Sequence, residues 1–115
     1  MNQEKMNIES GPGKRAGHQV VKVLGPIRHG ELEPLQDAVK ASSGSALILD
    51  LAGVPYIDSS AIGVLVHAYV SCQKSGRKLA LVGMTGRVRN VLHLASVDIL
   101  FTSFESVLEA EETLA

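Results

Sequence analysis

Short apolar runs alternate along this chain with segments in which apolar residues recur every three or four positions. The runs predict β-strands at residues 19–24, 46–51, 79–83 and 99–101. The periodic segments predict helices at about residues 31–41, from around residue 60 to about residue 74, from residue 85 or 86 to about residue 95, and after residue 103. Strands and helices that alternate with short connections form parallel sheets. We therefore predict a single α/β domain with a mainly parallel sheet and helices packed against it.

Two strands of this series have predictable places in the sheet. Residues 6–9 and 18–24 flank the turn-forming stretch Ser10-Gly11-Pro12-Gly13, which predicts an N-terminal antiparallel hairpin at the edge of the sheet. The run from Ala46 to Leu51 is nearly continuous in apolar residues, as in strands that are covered on both faces. We expect it at the middle of the sheet.

The helical spacing also predicts which side chains face the sheet. The expected inward sets are Leu32, Leu35, Ala38 and Val39; Ile62, Leu65, Val66, Tyr69 and Val70; Val88, Val91, Leu92 and Ala95; and Phe104, Val107, Leu108 and Leu114. The residues expected to face solvent are His67, Ser71, Lys74 and the glutamates of the last helix. Ser103 is expected to cap that last helix, and Gly76 to end the second one.

Loops that follow parallel strands meet at one edge of the sheet, where the helices begin. Residues 25–30, 52–60 and 83–87 are therefore predicted to lie together. The middle loop leads into a helix start that carries one carboxylate and two hydroxyls, in Asp58-Ser59-Ser60. Such side chains can cap free helix N–H groups, or carry a phosphate at the positive end of the helix dipole.

Length and composition are those of one globular domain, with 115 residues of which 45% are hydrophobic and 20% charged. We expect the domain to span residues 5–115 after a flexible segment, 1–4. No apolar run approaches the ~20 residues that cross a bilayer. The first five residues are not followed by the apolar region of a secretory signal. A cytoplasmic location without membrane insertion is therefore expected.

The net charge of −1 predicts no general attraction to nucleic acid. The charges are unevenly spread, however. The stretch 74–89 contains bases and no acids, and the stretch 98–112 contains acids and no bases; the residues are Lys74, Arg77, Lys78, Arg87 and Arg89, and Asp98, Glu105, Glu109, Glu111 and Glu112. This pattern is typical of solvated helix faces, and a charged docking patch is the alternative.

The sequence motifs of common enzymes and metal sites do not occur in this chain. It contains neither type of glycine-rich phosphate loop, its four histidines lack metal-ligand spacing, and its single cysteine, Cys72, is expected to be a small core residue. Ser59 lacks the Gly-x-Ser-x-Gly frame and the histidine base of a hydrolase. Asp50 and Asp58 lack the acidic pair and the lysine of a receiver domain. We expect no cofactor and no enzymatic activity, with a weak nucleotide hydrolase as the remaining enzymatic alternative.

The segment from Asp50 to Gly63 resembles the signature of the STAS domain, the fold of bacterial anti-sigma factor antagonists. Members commonly show Asp-Leu-x-x-Val-x-x-Ile/Leu-Asp-Ser-Ser/Thr-Gly-Leu-Gly, and this chain matches the pattern at nearly every position. A second matching segment, Leu-Val-Gly-x-x-x-x-Val-Arg-x-Val-Leu, runs from Leu81 to Leu92. The resemblance covers about residues 5–113.

The resemblance implies a regulatory binding module that works by partner switching. It implies that Ser59, with Ser60 as second choice, is phosphorylated by an anti-sigma factor that is itself a serine kinase. The unphosphorylated domain would bind this partner and free a sigma factor, the phosphorylated domain would release it, and a phosphatase could restore binding. The expected partner-binding residues are Asp58, Ser59, Ser60, Ile62, Gly63, Arg28, Met84 and Thr85.

Two alternatives and two departures from the family pattern accompany this interpretation. Plain helix capping would account for Asp58-Ser59-Ser60 without phosphorylation. A STAS accessory subunit of a transport or stress-signalling complex would use the same surface constitutively. Many antagonists carry an aspartate after the second strand, where this chain has Arg28, so the kinase specificity stays open. Ala61 stands where glycine is usual, a change that favours the helix by up to ~1 kcal/mol.

Overall fold

One mixed sheet organises the structure, a computed structural model that describes residues 5–115; the predicted flexible segment 1–4 lies outside the described residues. Within that range the elements are β1 (Asn7–Pro12), β2 (His18–Leu24), α1 (Glu33–Ala41), β3 (Ala46–Gly53), α2 (Ser59–Lys74), β4 (Lys78–Val82), α3 (Gly86–Leu94), a short 3₁₀ helix (Asp98–Leu100), β5 (Thr102–Phe104) and α4 (Val107–Leu114). The strands lie in chain order, with β1 antiparallel to β2 and the other neighbours parallel. The predicted α/β class, the parallel sheet and its antiparallel edge are confirmed.

The strand β3 occupies the centre of the sheet, as its apolar run predicts, and both of its faces are covered. Leu47 and Leu49 belong to the larger core cluster, which includes residues of α1, α2 and α3. Ile48 points to the other face and packs in a smaller cluster with Ala110 of α4. Three helices therefore cover one face of the sheet and α4 covers the other. Because α2 follows β3 and α3 follows β4, and these strands are parallel, both helices begin at the carboxyl edge of the sheet.

The N-terminal hairpin is present, but its turn lies later than predicted. Ser10, Gly11 and Pro12 belong to β1, and the chain reverses over residues 13–17. Proline is tolerated in β1 because this is an edge strand, where one side of the backbone ladder has no partner. Gly17 supplies the left-handed backbone of the turn, with φ of +83°.

The helix α2 buries a different stripe from the predicted one. The buried residues are Ala61, Val64, Leu65, Ala68 and Cys72, whereas Val70 is 39% exposed. Of the predicted inward residues, Leu65 is buried and Ile62 is half-buried and packs against the core, whereas the inward position of Val70 was wrong. The small side chains of the buried stripe let the helix lie close to the sheet. The burial of Cys72 and the end of the helix before Gly76, at φ of +69°, are confirmed. In α3, Ala95 is exposed because the helix ends at Leu94.

The C-terminal segment departs most from the prediction. Residues 98–100 form a 3₁₀ helix, Ile99 is 85% exposed, and the last strand is Thr102–Phe104. The final helix is capped by Ser106, whose hydroxyl accepts from the Glu109 N–H at 3.1 Å, and not by Ser103. Leu108 is 54% exposed, in contrast to its predicted inward position. A run of three apolar residues was too short to distinguish a strand from a helical turn.

Glu111 is buried in α4, although the glutamates of this helix were expected to face solvent. Its carboxylate accepts from the N–H groups of Lys14 and Arg15, at 3.0 and 2.9 Å, and contacts Nδ1 of the buried His18 at 3.2 Å. Burial alone would raise the pKa of Glu111, but these hydrogen bonds outweigh it and the pKa lies below its ordinary value. The carboxylate therefore ties α4 to the hairpin turn.

Candidate functional site

Three loops meet at the carboxyl edge of the parallel strands, as predicted. Ile27 and Ile57 form an isolated parallel bridge, in which the Ile27 N–H donates to the Tyr56 carbonyl at 3.3 Å. In the third loop, Gly83 lies so close to Ala52 that a Cβ on the glycine would be 2.8 Å from the Ala52 Cβ. The predicted meeting of residues 25–30, 52–60 and 83–87 is confirmed. The candidate site is the surface that these loops form with the start of α2.

Asp58 is the N-cap of α2 and also holds the neighbouring loop. Its Oδ1 accepts from the Ser60 N–H at 3.0 Å, from the Ala61 N–H at 3.3 Å and from the Ser60 hydroxyl. Its Oδ2 accepts from the His29 N–H at 2.8 Å, and its own N–H donates to the Ile27 carbonyl at 3.1 Å. The Asp58 carboxylate thus caps α2 and also holds the loop after β2 in place. The residue that caps the helix is therefore itself part of the candidate site.

These hydrogen bonds also keep the Asp58 carboxylate charged. Burial alone would raise the pKa of Asp58, but the bonds donated by the Ser60 hydroxyl and by the N–H groups of His29, Ala61 and Ser60 outweigh it. The pKa of Asp58 therefore lies below its ordinary value. At neutral pH a negative charge stands directly beside Ser59.

The two serines at the start of α2 have different surroundings. The Ser60 side chain is half-buried and its hydroxyl is bonded to Asp58. Ser59 is exposed, and within residues 5–115 its hydroxyl forms no hydrogen bond. A hydroxyl that is exposed and unbonded can enter the active site of another protein without breaking the cap.

Two arginines converge on Tyr56, three residues before Ser59. Arg28 donates from Nη1 to the Tyr56 hydroxyl at 3.0 Å and from Nε to Glu31 at 2.8 Å. The guanidinium carbon of Arg87 lies 5.0 Å from the centroid of the Tyr56 ring, within cation–π distance. We call these three residues the arginine–tyrosine cluster (Arg28, Tyr56, Arg87). It joins the loop after β2 to the first turn of α3.

The remaining residues expected at the site surround this centre. Thr85 is the N-cap of α3, with its hydroxyl accepting from the Val88 N–H at 3.3 Å. Met84 is half-buried and packs against the core, as does Ile62 on α2. These positions lie on the same edge as the start of α2 or within its first turns.

Gly63 lies on the exposed side of α2, beside a groove that separates α1 from α2. The groove has a volume of about 460 Å³, and its lining residues include Leu32, Gln36, Ser60, Gly63 and His67. Among residues 5–115, a Cβ added at Gly63 would have no heavy atom within 4 Å apart from its chain neighbours and the backbone of its own helix. Packing within the chain therefore does not explain why a residue with poor helix propensity stands here.

The part of the chain that the structure describes contains neither a metal-binding cluster nor a membrane-spanning helix. Residues 5–115 contain no group of three histidine, cysteine, aspartate or glutamate side chains arranged to hold a metal ion. In the same range, no helix is long and apolar enough to cross a bilayer.

Sequence reasoning missed the roles of Tyr56 and Arg87. Tyr56 was part of the signature segment and Arg87 was one of several basic residues, and nothing in their spacing connects two positions 31 residues apart. The available signal was topological, since residue 56 follows β3 and residue 87 follows the adjacent parallel strand β4. Groups that follow neighbouring parallel strands share one edge of the sheet.

Comparison with known proteins gives a family match and several fold matches. A sequence model of the STAS domain matches residues 14–110. The crystal structure of an anti-sigma factor antagonist from Mycobacterium paratuberculosis has a TM-score of 0.82 and 23% identity, over 96% of this chain and 94% of that one. A sulfate transporter family protein from Wolinella succinogenes has a TM-score of 0.77 and 23% identity, over 87% of this chain and 86% of the other.

A third relative has been solved in a phosphorylated form. It is the Bacillus cell fate determinant SpoIIAA, with a TM-score of 0.70 and 13% identity, over 96% of this chain and 99% of that one. At these identities the likeness shows a shared fold. That fold occurs both in anti-sigma factor antagonists and in proteins related to transporters.

Proposed function

The chain belongs to the STAS domain family, and on that premise we propose that it is an anti-sigma factor antagonist switched by phosphorylation of Ser59. Unphosphorylated, it binds an anti-sigma factor that is a serine kinase and so frees a sigma factor for transcription. Phosphorylated, it releases that partner. A phosphatase returns it to the binding state.

The observation that carries this proposal is the contrast between the two serines. Ser60 is committed to the cap through Asp58, whereas Ser59 presents an exposed hydroxyl with no bond to the described residues. A kinase can therefore modify Ser59 while α2 stays capped. This contrast favours Ser59 over Ser60, and it favours a modifiable serine over a purely structural pair.

Phosphorylation at this position acts on the partner more than on the domain. A phosphoserine carries a charge of roughly −1.5 to −2 at neutral pH, and it would stand beside the ionised Asp58. Within the domain, the positive end of the helix dipole at the start of α2 favours an anion. In an interface, the same group must be desolvated and repels acidic residues of the partner. The switch can therefore work without refolding.

The docking face that follows from this proposal is centred on the first turns of α2. It comprises Asp58, Ser59, Ser60, Ile62 and Gly63, together with Arg28, Met84 and Thr85 from the neighbouring loops. The groove beside Gly63 offers a place for a partner side chain. No catalytic residue is proposed, because the domain is the substrate of the kinase.

Relatives support the proposal at two points. An anti-sigma factor antagonist shares the fold over nearly the whole chain, and a relative with this fold has a phosphorylated form. The fold match to a sulfate transporter family protein favours a second candidate, an accessory subunit that binds its assembly constitutively. That candidate predicts co-purification with a transporter or scaffold whether or not Ser59 is modified.

The test compares partner binding by Ser59→Ala, Ser59→Asp and Ser106→Asp proteins. Ser106 is the matched control because it is also an exposed serine at the start of a helix, α4, on the other face of the sheet. We expect the Ser59→Ala and Ser106→Asp proteins to bind the anti-sigma factor kinase as the unmodified protein does, and the Ser59→Asp protein to lose binding. Equal binding by both Ser59 variants would refute the switch.

A further inference from the structure

We infer that the groove between α1 and α2 binds a helix of the partner protein, in which an apolar side chain packs at Gly63 and a carboxylate pairs with Lys40. The inference rests on the proposed function, because it names the chemistry of the partner at that same docking face. It extends the face from the first turns of α2 along the groove to the last turn of α1.

The groove combines an apolar floor with a polar rim. Its apolar lining residues are Leu32, Val39 and Val64, and its polar ones are Gln36, Lys40, Ser60 and His67. Val39 and Val64 are almost buried, at 8% and 6% exposure. The side chains of Gln36, Lys40 and His67 are exposed. A segment that fits this groove therefore presents an apolar side chain flanked by polar ones.

Gly63 opens the middle of the groove. It lies inside α2, where glycine is unfavourable. Apart from its chain neighbours and its own helix backbone, no heavy atom of residues 5–115 lies within 4 Å of a Cβ built at Gly63, so packing within the domain does not call for glycine. A glycine on a helix surface lets a second backbone approach closely. A helix of the partner that packs against α2 at this point accounts for the glycine.

The walls of the groove favour a helix as its occupant. Both walls are helices, whose interior backbone groups are already bonded within α1 and within α2. An extended segment would find no strand edge here, and it would bury N–H and C=O groups without partners. A helix satisfies its own backbone and contributes only side chains. From Ser60 to His67 the groove follows two turns of α2, roughly 10 Å, which accommodates two turns of a partner helix.

Lys40 determines the charge that the occupant should carry. It is exposed in the last turn of α1 and forms no ion pair within residues 5–115. No acidic side chain is among the described residues that line the groove, and α2 contains none. The acids of α1, Glu33 and Asp37, lie outside the lining, and neither is within 4.0 Å of the Lys40 ammonium. A carboxylate of the partner complements this cation.

The groove begins at the phosphorylation site of the proposed function. Ser60 lines the groove, and Ser59 directly precedes it at the start of α2. A helix that fills the groove therefore lies against Ser59. A phosphate on Ser59 obstructs that helix and repels its carboxylates. Phosphorylation and occupancy of the groove exclude each other.

The first part of the experiment identifies what lies in the groove. It uses the full chain and the anti-sigma factor kinase that the Ser59→Ala protein captures from its native cells, purified separately. A photo-crosslinker attached to Gln36→Cys marks the partner segment, and labelling is specific because Cys72, the one native cysteine, is buried. An alanine scan of that segment then gives the spacing of the positions that matter. A helix gives a period of three or four residues, and an extended segment gives a period of two.

The second part measures the affinity of the unmodified, Lys40→Glu and Lys78→Glu proteins for the kinase at several salt concentrations. Lys78 is the matched control because it is an exposed cation on β4 that alternates with Leu79. It therefore lies on the face of the sheet that α4 covers, opposite α1 and α2. Urea unfolding of each variant verifies that the fold is intact.

We expect a helical period in the scan. Lys40→Glu should lower the affinity about tenfold at low salt, and Lys78→Glu should change it less than about twofold. Replacing the partner's carboxylate with lysine should restore binding to Lys40→Glu.

If binding depends on Ser59 but Lys40→Glu behaves like Lys78→Glu, or the period is two, the inference is wrong and the proposed function stands. If no captured protein depends on Ser59, the proposed function fails and the inference fails with it. If the protein alone self-associates in ultracentrifugation and Lys40→Glu abolishes this, the occupant is a second copy of the chain and the inference is overturned.

Discussion

Replacing Gly63 by alanine should raise the stability of the protein and weaken its binding to the partner. Gly63 lies inside α2, where glycine is less favourable than alanine by about 0.5–1 kcal/mol. Outside its own helix backbone and chain neighbours, a Cβ at this position meets no heavy atom of residues 5–115 within 4 Å, so no clash with them opposes the gain. The free energy of unfolding should therefore rise by about 0.5–1 kcal/mol, which corresponds to roughly 2–5 °C in Tm.

The same methyl group should weaken partner binding. Gly63 lines the groove beside Ser60 on the proposed docking face, and a packed interface tolerates an added methyl as poorly as a core does, at about 1–3 kcal/mol. Gly11→Ala is the matched control, because Gly11 also has open space at its Cβ position and lies on the edge strand β1. That variant should leave binding unchanged.

Urea unfolding followed by circular dichroism, together with titration against the kinase partner, tests both halves of this prediction. A lower unfolding midpoint for Gly63→Ala would refute the argument from open space. A higher midpoint with unchanged affinity would place Gly63 outside the interface.

Three further predictions concern stability. Glu111→Ala should lower the free energy of unfolding by about 2–4 kcal/mol, because it leaves His18 and two N–H groups without their acceptor. Replacing the exposed neighbouring residue, in Glu112→Ala, should change that free energy by less than ~0.5 kcal/mol. Urea unfolding measures both values. Asp58→Ala should lose about 1–2 kcal/mol through the cap, with Asp58→Asn retaining part of it. Because the pKa values of Asp58 and Glu111 are lowered in the fold, their contribution is present above their ordinary values of 3.8 and 4.5 and is lost as pH falls through the folded values. Thermal unfolding between pH 7 and 3 should therefore show a smaller acid loss for Glu111→Gln than for the unmodified protein, and an equal loss would contradict this.

The sequence predicted those parts of the fold that depend on long patterns. The alternation of apolar runs and periodic segments predicted the parallel sheet, and the continuous run of β3 predicted its central place. The rule that loops after parallel strands share the carboxyl edge of the sheet was enough to predict that Arg28 and Asp58 lie on one surface. These features follow from many residues acting together, so a single exception does not hide them.

The predictions that were wrong concern segments whose conformation or burial depends on one or two residues. Ile99 and Phe101 look like part of a strand, but the segment is short and its conformation depends on the edge of the sheet. Glu111 looks like a solvent-exposed helix residue, and only the hairpin turn, at the other end of the chain, makes its burial favourable. The arginine–tyrosine cluster depends in the same way on contacts between positions distant in sequence. Local periodicity contains no information about such contacts.

Phosphopeptide mapping of the protein from its native cells, in growth and under stress, tests the central claim most directly when the co-purifying proteins are identified in the same samples. We predict phosphate on Ser59 in one condition, no phosphate on Ser60, and an anti-sigma factor kinase captured mainly in the other condition. Unmodified serines in both conditions, with a transporter or scaffold bound throughout, would contradict the switch and favour the accessory subunit.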